Sequence, residues 1–358
     1  KVFLIYLLSF LVSSTALFTS FYNNTTDCEF VSLPISITVG FFAAYFIIFL
    51  NRKFINPTEK FLIESIIFAV AFQCLFSFVL FLKPDLQQIV YSLVATSELR
   101  LLKIEELSEG RIIGFSRSFF EAGIYNGMAL ILITYCIRYY DLKNKELVGF
   151  VMLYSIIFGV GMLMARTTLV GAGLSLLMLL NINDFDFRTI SLRKVKFFTI
   201  LLIIPTIVGS IFLVVSPVFI KNLNNLFEFG FEIFINLFES GNLETSSTTG
   251  MMEMYIFPDN MKTWLIGDGL WDAPYSKGLE FYMGTDIGYS RMLFYFGMIG
   301  TICFFIYQYI FIKSSISKKY AILIFFAYVL VLNFKGMADI TFFLILLIVV
   351  NYNDRNSY

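Results

Sequence analysis

"SIIFAVAFQCLFSFVLFL", residues 65–82, decides the class of fold. No charged residue interrupts it, and crossing a hydrocarbon layer about 30 Å thick takes about 20 apolar residues in a helix. "FFTILLIIPTIVGSIFLVV", residues 197–215, has the same character. Comparable apolar segments lie near 2–20, 31–50, 61–82, 119–137, 147–165, 167–181, 197–220, 289–312, 320–334 and 338–351. The last two are short and read either as two spans or as a hairpin that crosses only in part. Composition agrees: 58% apolar, 15% charged and 44 Phe among 358 residues is more grease than a water-soluble core absorbs. The expected fold is all-α: a polytopic membrane helix bundle of about 10 or more transmembrane helices, one integral membrane domain over 1–358. The first residue is Lys1 rather than Met, so a further N-terminal piece is expected. The run from Val2 to Leu17 imitates a signal peptide, but no A-x-A site follows it.

Charge in the connections sets the expected orientation. Arg52, Lys53 and Lys60 form one cluster; Arg138, Lys143 and Lys145 a second; Arg188, Arg193, Lys194 and Lys196 a third; Lys313, Lys318 and Lys319 a fourth. The intervening short loops are nearly free of Lys and Arg, which puts the clusters on the cytoplasmic side. Both long connections, 83–118 and 221–288, then fall outside, and connections of that length usually carry function. "LQQIVYSLVATSELRLLKIEEL" (86–107) has helical periodicity, and "LNNLFEFGFEIFINLF" (223–238) is aromatic enough for a membrane interface. Short amphipathic helices on the outer surface are expected there, as walls of a site or as a passive cap.

Several functions are excluded. Lys plus Arg and Asp plus Glu each number 26, so no basic surface invites nucleic acid. The middles of the apolar segments lack ionisable residues apart from Glu64, near an inner end. That counts against ion-coupled transport, proton pumping and charged-ring channels. There is no histidine, which removes Ser-His-Asp and Cys-His chemistry and His-ligated zinc. Of Cys28, Cys74, Cys136 and Cys303 only Cys28 falls in an outer loop, so neither a disulfide nor a thiolate metal site is expected. No phosphate-binding GxxxxGK[ST] loop occurs. "DFD" (184–186) has a D-x-D metal spacing but sits beside four cations and reads as a solvated turn. No cofactor or metal is expected.

Charge gathers instead at the outer boundary: Arg111, Arg117, Glu121, Arg166, Asp268, Asp272, Asp286, Arg291, Lys335 and Asp339. A site there suits a substrate that is half lipid and half polar. In "GVGMLMARTTLVGAGLSLL" (159–177), Arg166 lies in a turn too short to reach far into water. It reads as a snorkelling helix end or as an anion site, because guanidinium grips phosphate through paired hydrogen bonds. Gly159, Gly161, Gly171 and Gly173 allow close helix approach. In "TDIGYSRMLFYFGMIG" (285–300), Asp286 and Arg291 are either a helix start with a snorkelling base, or an acid that handles a proton beside an arginine that holds an anion. Trp264, Trp271, Tyr275 and Tyr289 suit sugar stacking and interfacial anchoring equally well.

"GRIIGFSRSFFEAGIYNGMALIL" (110–132), "MARTTLVGAGLSLLMLL" (164–180), "TWLIGDGLW" (263–271) and "TDIGYSRMLFYFGMIG" follow one another around two long outer loops. In this order the chain resembles the Wzy-type polymerases of bacterial O-antigen and capsule synthesis, relatives of the O-antigen ligases. The resemblance covers roughly 105–305, and G-D-G with D-I-G-Y-x-R is its most specific part. It implies a metal-independent glycosyltransferase of the bacterial inner membrane with its site on the periplasmic side. Such an enzyme joins undecaprenyl-pyrophosphate-linked oligosaccharides among membrane lipid, alongside a polysaccharide chain-length regulator. Asp286 stands where the ligases usually carry histidine, which favours a polymerase. The arginine often found early in the second loop is absent from "STTGMMEMYIF" (247–257). On this reading Asp286 is the leading general base and Glu121 the second. Arg166, Arg291 and Arg117 bind pyrophosphate, and Trp264, Trp271 and Tyr289 bind sugar. An O-antigen ligase and a lipid-linked oligosaccharide flippase are the alternatives; the flippase would want a charged path through the membrane, which the helix middles lack.

Overall fold

The computed structural model describes residues 2–52, 54–55, 57–94, 111–113, 119–180, 217–242, 244–274 and 280–355. Their regular structure is helical, with one isolated antiparallel bridge between Asp272 and Phe281. In chain order the helices are α1 (Val2–Asn23), α2 (Leu33–Arg52), α3 (Glu59–Leu82), α4 (Pro84–Val94), α5 (Phe119–Tyr139), α6 (Asn144–Met164) and α7 (Thr168–Leu179). Then come α8 (Pro217–Ser240), α9 (Ser246–Glu253), α10 (Met261–Leu265), α11 (Gly288–Ser315), α12 (Lys319–Leu332) and α13 (Thr341–Arg355).

Six of the described helices are long and apolar enough to cross a bilayer: α1, α2, α3, α5, α6 and α11. The chain is a multi-pass helical membrane bundle. The expectation was about ten or more spans. Helices α7, α12 and α13 are apolar but short, and the 12 residues of α7 rise only about 18 Å. Most of the apolar segment at 197–220 lies outside the described residues. The polarity of α1 is inverted relative to a water-soluble helix. Ser9, Ser13, Thr19 and Ser20 are buried, whereas Phe3, Phe10, Phe18 and Phe21 are exposed. Lipid is as apolar as Phe, so burying Phe gains little there, while hydroxyls need partners inside the protein.

The chain forms two compact units, residues 1–62 with 246–358, and residues 63–245. In the first, α1 packs on α2 and α11, and α13 packs on α2 and α11. Its distinctive element is a break in α11 at Phe296 and Gly297, where Gly297 has φ 64°. A broken helix leaves carbonyls without partners, which an apolar medium does not tolerate. Here the Asp268 and Gly269 N–H groups donate to the Phe294 and Tyr295 carbonyls, at 2.6 and 3.0 Å. The fit has no slack. A Cβ on Gly297 would lie 2.3 Å from the Leu265 carbonyl oxygen, and one on Gly267 (φ 86°) 2.5 Å from that of Tyr295. From α1, Thr19 Oγ1 donates to the Ile266 carbonyl, Asn23 Nδ2 to Gly267 and Thr25 Oγ1, just beyond the helix, to Gly269, at 2.8, 3.1 and 2.8 Å.

In the second unit α5 and α7 cross through small residues. A Cβ on Gly171 would lie 2.1 Å from the Gly127 Cα, and one on Gly123 would overlap the Thr167 hydroxyl. Gly161 lies against Asn126 and Thr168, whereas Gly159 and Gly173 face open space. The fully buried Asn126 accepts from Cys74 Sγ at 3.4 Å, and Thr168 Oγ1 donates to the Gly161 carbonyl at 3.0 Å. Helix α8 runs through residue 221, where the long connection was expected to start, and Gly230 seats it on Met162 and Leu163 of α6. In the other long connection α4 is helical, while 95–110 and 114–118 lie outside the described residues.

The glycine seam makes a prediction. Gly171→Ala forces a methyl into the α5 backbone and should lower stability by about 1–3 kcal/mol. Gly173→Ala meets nothing and should be neutral or slightly stabilising. Thermal unfolding of both variants in detergent would check the contrast.

Candidate functional site

Two charged clusters hold most of the expected site residues, one in each unit. The first is built on the turn between α6 and α7. Ala165 leaves helical geometry (φ −157°, ψ 121°), and the Thr168 and Leu169 N–H groups then donate to the Ala165 and Arg166 carbonyls at 3.0 Å. So tight a turn keeps Arg166 against the protein, and only 9% of the residue is exposed. Its guanidinium is ion-paired with Glu232 of α8. Phe229 lies three residues before Glu232, on the same face of that helix. The Arg166 Cζ lies 4.6 Å from the Phe229 ring centre, and the Arg111 Cζ lies 4.6 Å from the same ring. Arg111 is held in place by its neighbours: Ile112 N–H donates to the Leu163 carbonyl at 3.1 Å, and Tyr91 OH to that of Ile113 at 2.8 Å. Burial and the charge of Arg166 both push Arg111 below the usual arginine range. It stays a cation, since arginine titrates so far above neutrality.

Glu121 belongs to the same unit. It stands in the first turn of α5, two residues before the Gly123 that abuts Thr167, so the turns carrying Glu121 and Arg166 are in contact. Arg117 lies outside the described residues.

The second cluster centres on Arg291, in the first turn of α11. Its guanidinium is sandwiched between two rings, with Cζ 3.7 Å from the Trp271 centre and 3.8 Å from that of Phe281. The bridge at Asp272 and Phe281 brings the two rings together, supported by Ala273 N–H to the Glu280 carbonyl at 2.9 Å. Around the edge, Asp272 Oδ1 lies 3.6 Å from Nη2 and Asp286 Oδ1 lies 3.7 Å from Nη1. Asp27 and Glu29 are within electrostatic range of the same cation. The Arg291 side chain is 8% exposed, whereas those of Asp272 and Asp286 are 41% and 48% exposed. Burial pushes the Asp272 carboxyl up, Arg291 opposes the shift and Asp27 adds to it. Among the described residues, four carboxylates thus lie around one guanidinium.

The aromatic candidates are in the first unit. Trp271 is buried, and Asp27 Oδ2 accepts from its backbone N–H at 2.8 Å. Trp264 is partly exposed, stacked on Phe257, with Nε1 donating to the Pro258 carbonyl at 2.6 Å. Tyr289 packs on Phe334 and donates its hydroxyl to the Leu330 carbonyl at 2.9 Å. Tyr275 lies outside the described residues.

Arg166 thus comes together with Arg111, Phe229, Glu232 and the turn of Glu121, and Arg291 with Asp286, Asp272, Trp271 and Phe281. Sequence reasoning had counted Arg111 and Asp272 among the boundary charges without assigning them a role. It passed over Glu232, whose only signal is an acid in an aromatic interfacial stretch. No protein-family model matches the chain, and no curated protein and no solved structure matches it.

Arg291→Lys keeps the charge but cannot lie flat between two rings. It should cost about 1–2 kcal/mol, the scale of desolvated cation–π contacts. Thermal unfolding at wild-type temperature would show that the stack contributes nothing.

Proposed function

We propose that the chain is a membrane glycosyltransferase that polymerises undecaprenyl-pyrophosphate-linked oligosaccharide repeat units into O-antigen or capsular polysaccharide. It works on the periplasmic face of the bacterial inner membrane. The observation that carries this reading is the pairing of Arg111 with Arg166 on one Phe229 ring, where the spanning helices α5 and α6 meet the turn before α7. Two guanidiniums beside an apolar bundle match a lipid diphosphate, whose charge needs paired donors and whose tail needs hydrocarbon. The resemblance of 105–305 to the Wzy-type polymerases supports the same reading.

In the proposed reaction an acceptor sugar hydroxyl attacks the anomeric carbon of a second lipid-linked glycan. The bond from that carbon to the diphosphate oxygen breaks, and its electron pair leaves with the lipid pyrophosphate. Arg166 and Arg111 stabilise the charge that grows there. A carboxylate accepts the hydroxyl proton. Glu121 shares a unit with the arginine pair, whereas Asp286 is engaged with Arg291.

Purified protein given lipid-linked repeat units should produce a ladder of longer lipid-linked products. Transfer to a new lipid acceptor would mean a ligase, and transport without product a flippase. Arg166→Lys should reduce elongation about 10²-fold, because a point charge replaces a planar fork and the loss of one positioned donor has that scale. Elongation at the wild-type rate in that variant would leave Arg166 a snorkelling residue.

A further inference from the structure

The ion pair between Arg166 and Glu232 engages Nη1, one of the guanidinium nitrogens that a diphosphate would use. Arg166 is buried, with Arg111 half-buried against the shared ring, and Glu232 places a carboxylate against the buried guanidinium, which offsets the cost of taking that charge out of water. It is also the more accessible partner, its side chain 23% exposed against 8% for Arg166, so exchange can begin from its side. Its helix stays nearby. A Cβ on Gly230 would lie 2.9 Å from Leu163 Cδ2 and 3.3 Å from the Met162 carbonyl, so α8 is seated directly on the end of α6 that leads into Arg166. Phe229, one turn before Glu232, keeps its ring against both arginines.

We propose that Glu232 is a further catalytic residue, an inference that rests on the reading of the arginine pair as a diphosphate site. In the empty protein Glu232 neutralises Arg166. The substrate diphosphate takes its place, since a group of higher charge gains more from two guanidiniums than one carboxylate does. The displaced carboxylate stays tethered on α8 within a side chain's reach of the leaving group. It then accepts the proton of the attacking hydroxyl. The acceptor O–H bond breaks, its oxygen bonds to the anomeric carbon, and the carbon–oxygen bond to the diphosphate breaks with the electron pair on the leaving group. When the lipid diphosphate departs, Glu232 loses the proton to water and pairs with Arg166 again.

The test uses the full chain in lipid nanodiscs, with farnesyl diphosphate as the binding probe and lipid-linked repeat units for elongation. Glu232→Gln removes the internal competitor and the base together. It should bind farnesyl diphosphate at least about threefold tighter while elongation falls about 10²-fold or more, the scale of a positioned general base. Glu232→Asp, which keeps a carboxylate, should recover at least about a tenth of wild-type elongation, and this variant separates loss of the base from loss of the fold. A purely structural ion pair would not move binding and turnover in opposite directions. The inference is overturned if Glu232→Gln elongates at the wild-type rate, if it binds the probe more weakly, or if Glu121→Gln or Asp286→Asn alone abolishes elongation. Wild-type protein that fails to bind farnesyl diphosphate, or binds it unchanged in Arg166→Gln, overturns the diphosphate reading itself and this inference with it.

Discussion

The first unit depends on the mutual seating of two glycines. Gly297 opens α11, and the chain around Gly267 closes the gap with its own backbone. In an apolar environment each unpaired carbonyl costs roughly 2–7 kcal/mol, so a broken helix persists only where every freed group finds a donor. The Asp268 and Gly269 amides supply donors to α11, while Thr19, Asn23 and Thr25 satisfy the carbonyls on the other side. Everything around Arg291 follows from this. Trp271 and Asp272 lie two and three residues beyond Gly269, so fastening that glycine to Tyr295 delivers a ring and a carboxylate to the next turn of the same helix.

The second unit uses glycine differently, to let helices touch rather than to break one. Gly123 and Gly127 lie one turn apart on α5, and Thr167 and Gly171 one turn apart on the chain entering α7. Packing by van der Waals contact is the main force between helices in lipid, and it requires close backbones. The seam draws the Arg166 turn onto the start of α5. Both arginine centres set a guanidinium against aromatic rings. Two arginines share the Phe229 ring, one of them paired with Glu232, whereas Arg291 lies between Trp271 and Phe281 with Asp272 and Asp286 at its edge.

Sequence reading located the six helices long and apolar enough to cross a membrane among the described residues, because length and uninterrupted apolarity are properties of single segments. It found the boundary charges for the same reason, since a charge is conspicuous in so apolar a chain. The chemistry of each charge was less legible. Arg166 and Arg291 look alike in sequence, each a lone arginine at the edge of an apolar run. One is paired by Glu232, 66 positions away, and the other is clasped by residues on either side of an isolated bridge. Of the four glycines near Arg166, only Gly161 and Gly171 lie against another helix, because which way a glycine faces depends on how the helices are rotated.

The amino-acid sequence by itself determined that this is a helical membrane protein, which segments are apolar, and that the middles of those apolar segments carry almost no Asp, Glu, Lys or Arg. Those are consequences of transfer free energy summed over neighbouring residues, and they need no knowledge of what packs on what. Tertiary structure alone decided that α11 breaks and is repaired by a loop, that α8 is a single helix reaching back to Arg166, and which acid meets which arginine. Each of these is settled by satisfying a buried polar group with a partner distant in the chain, and that partner is chosen by the packing of the backbone.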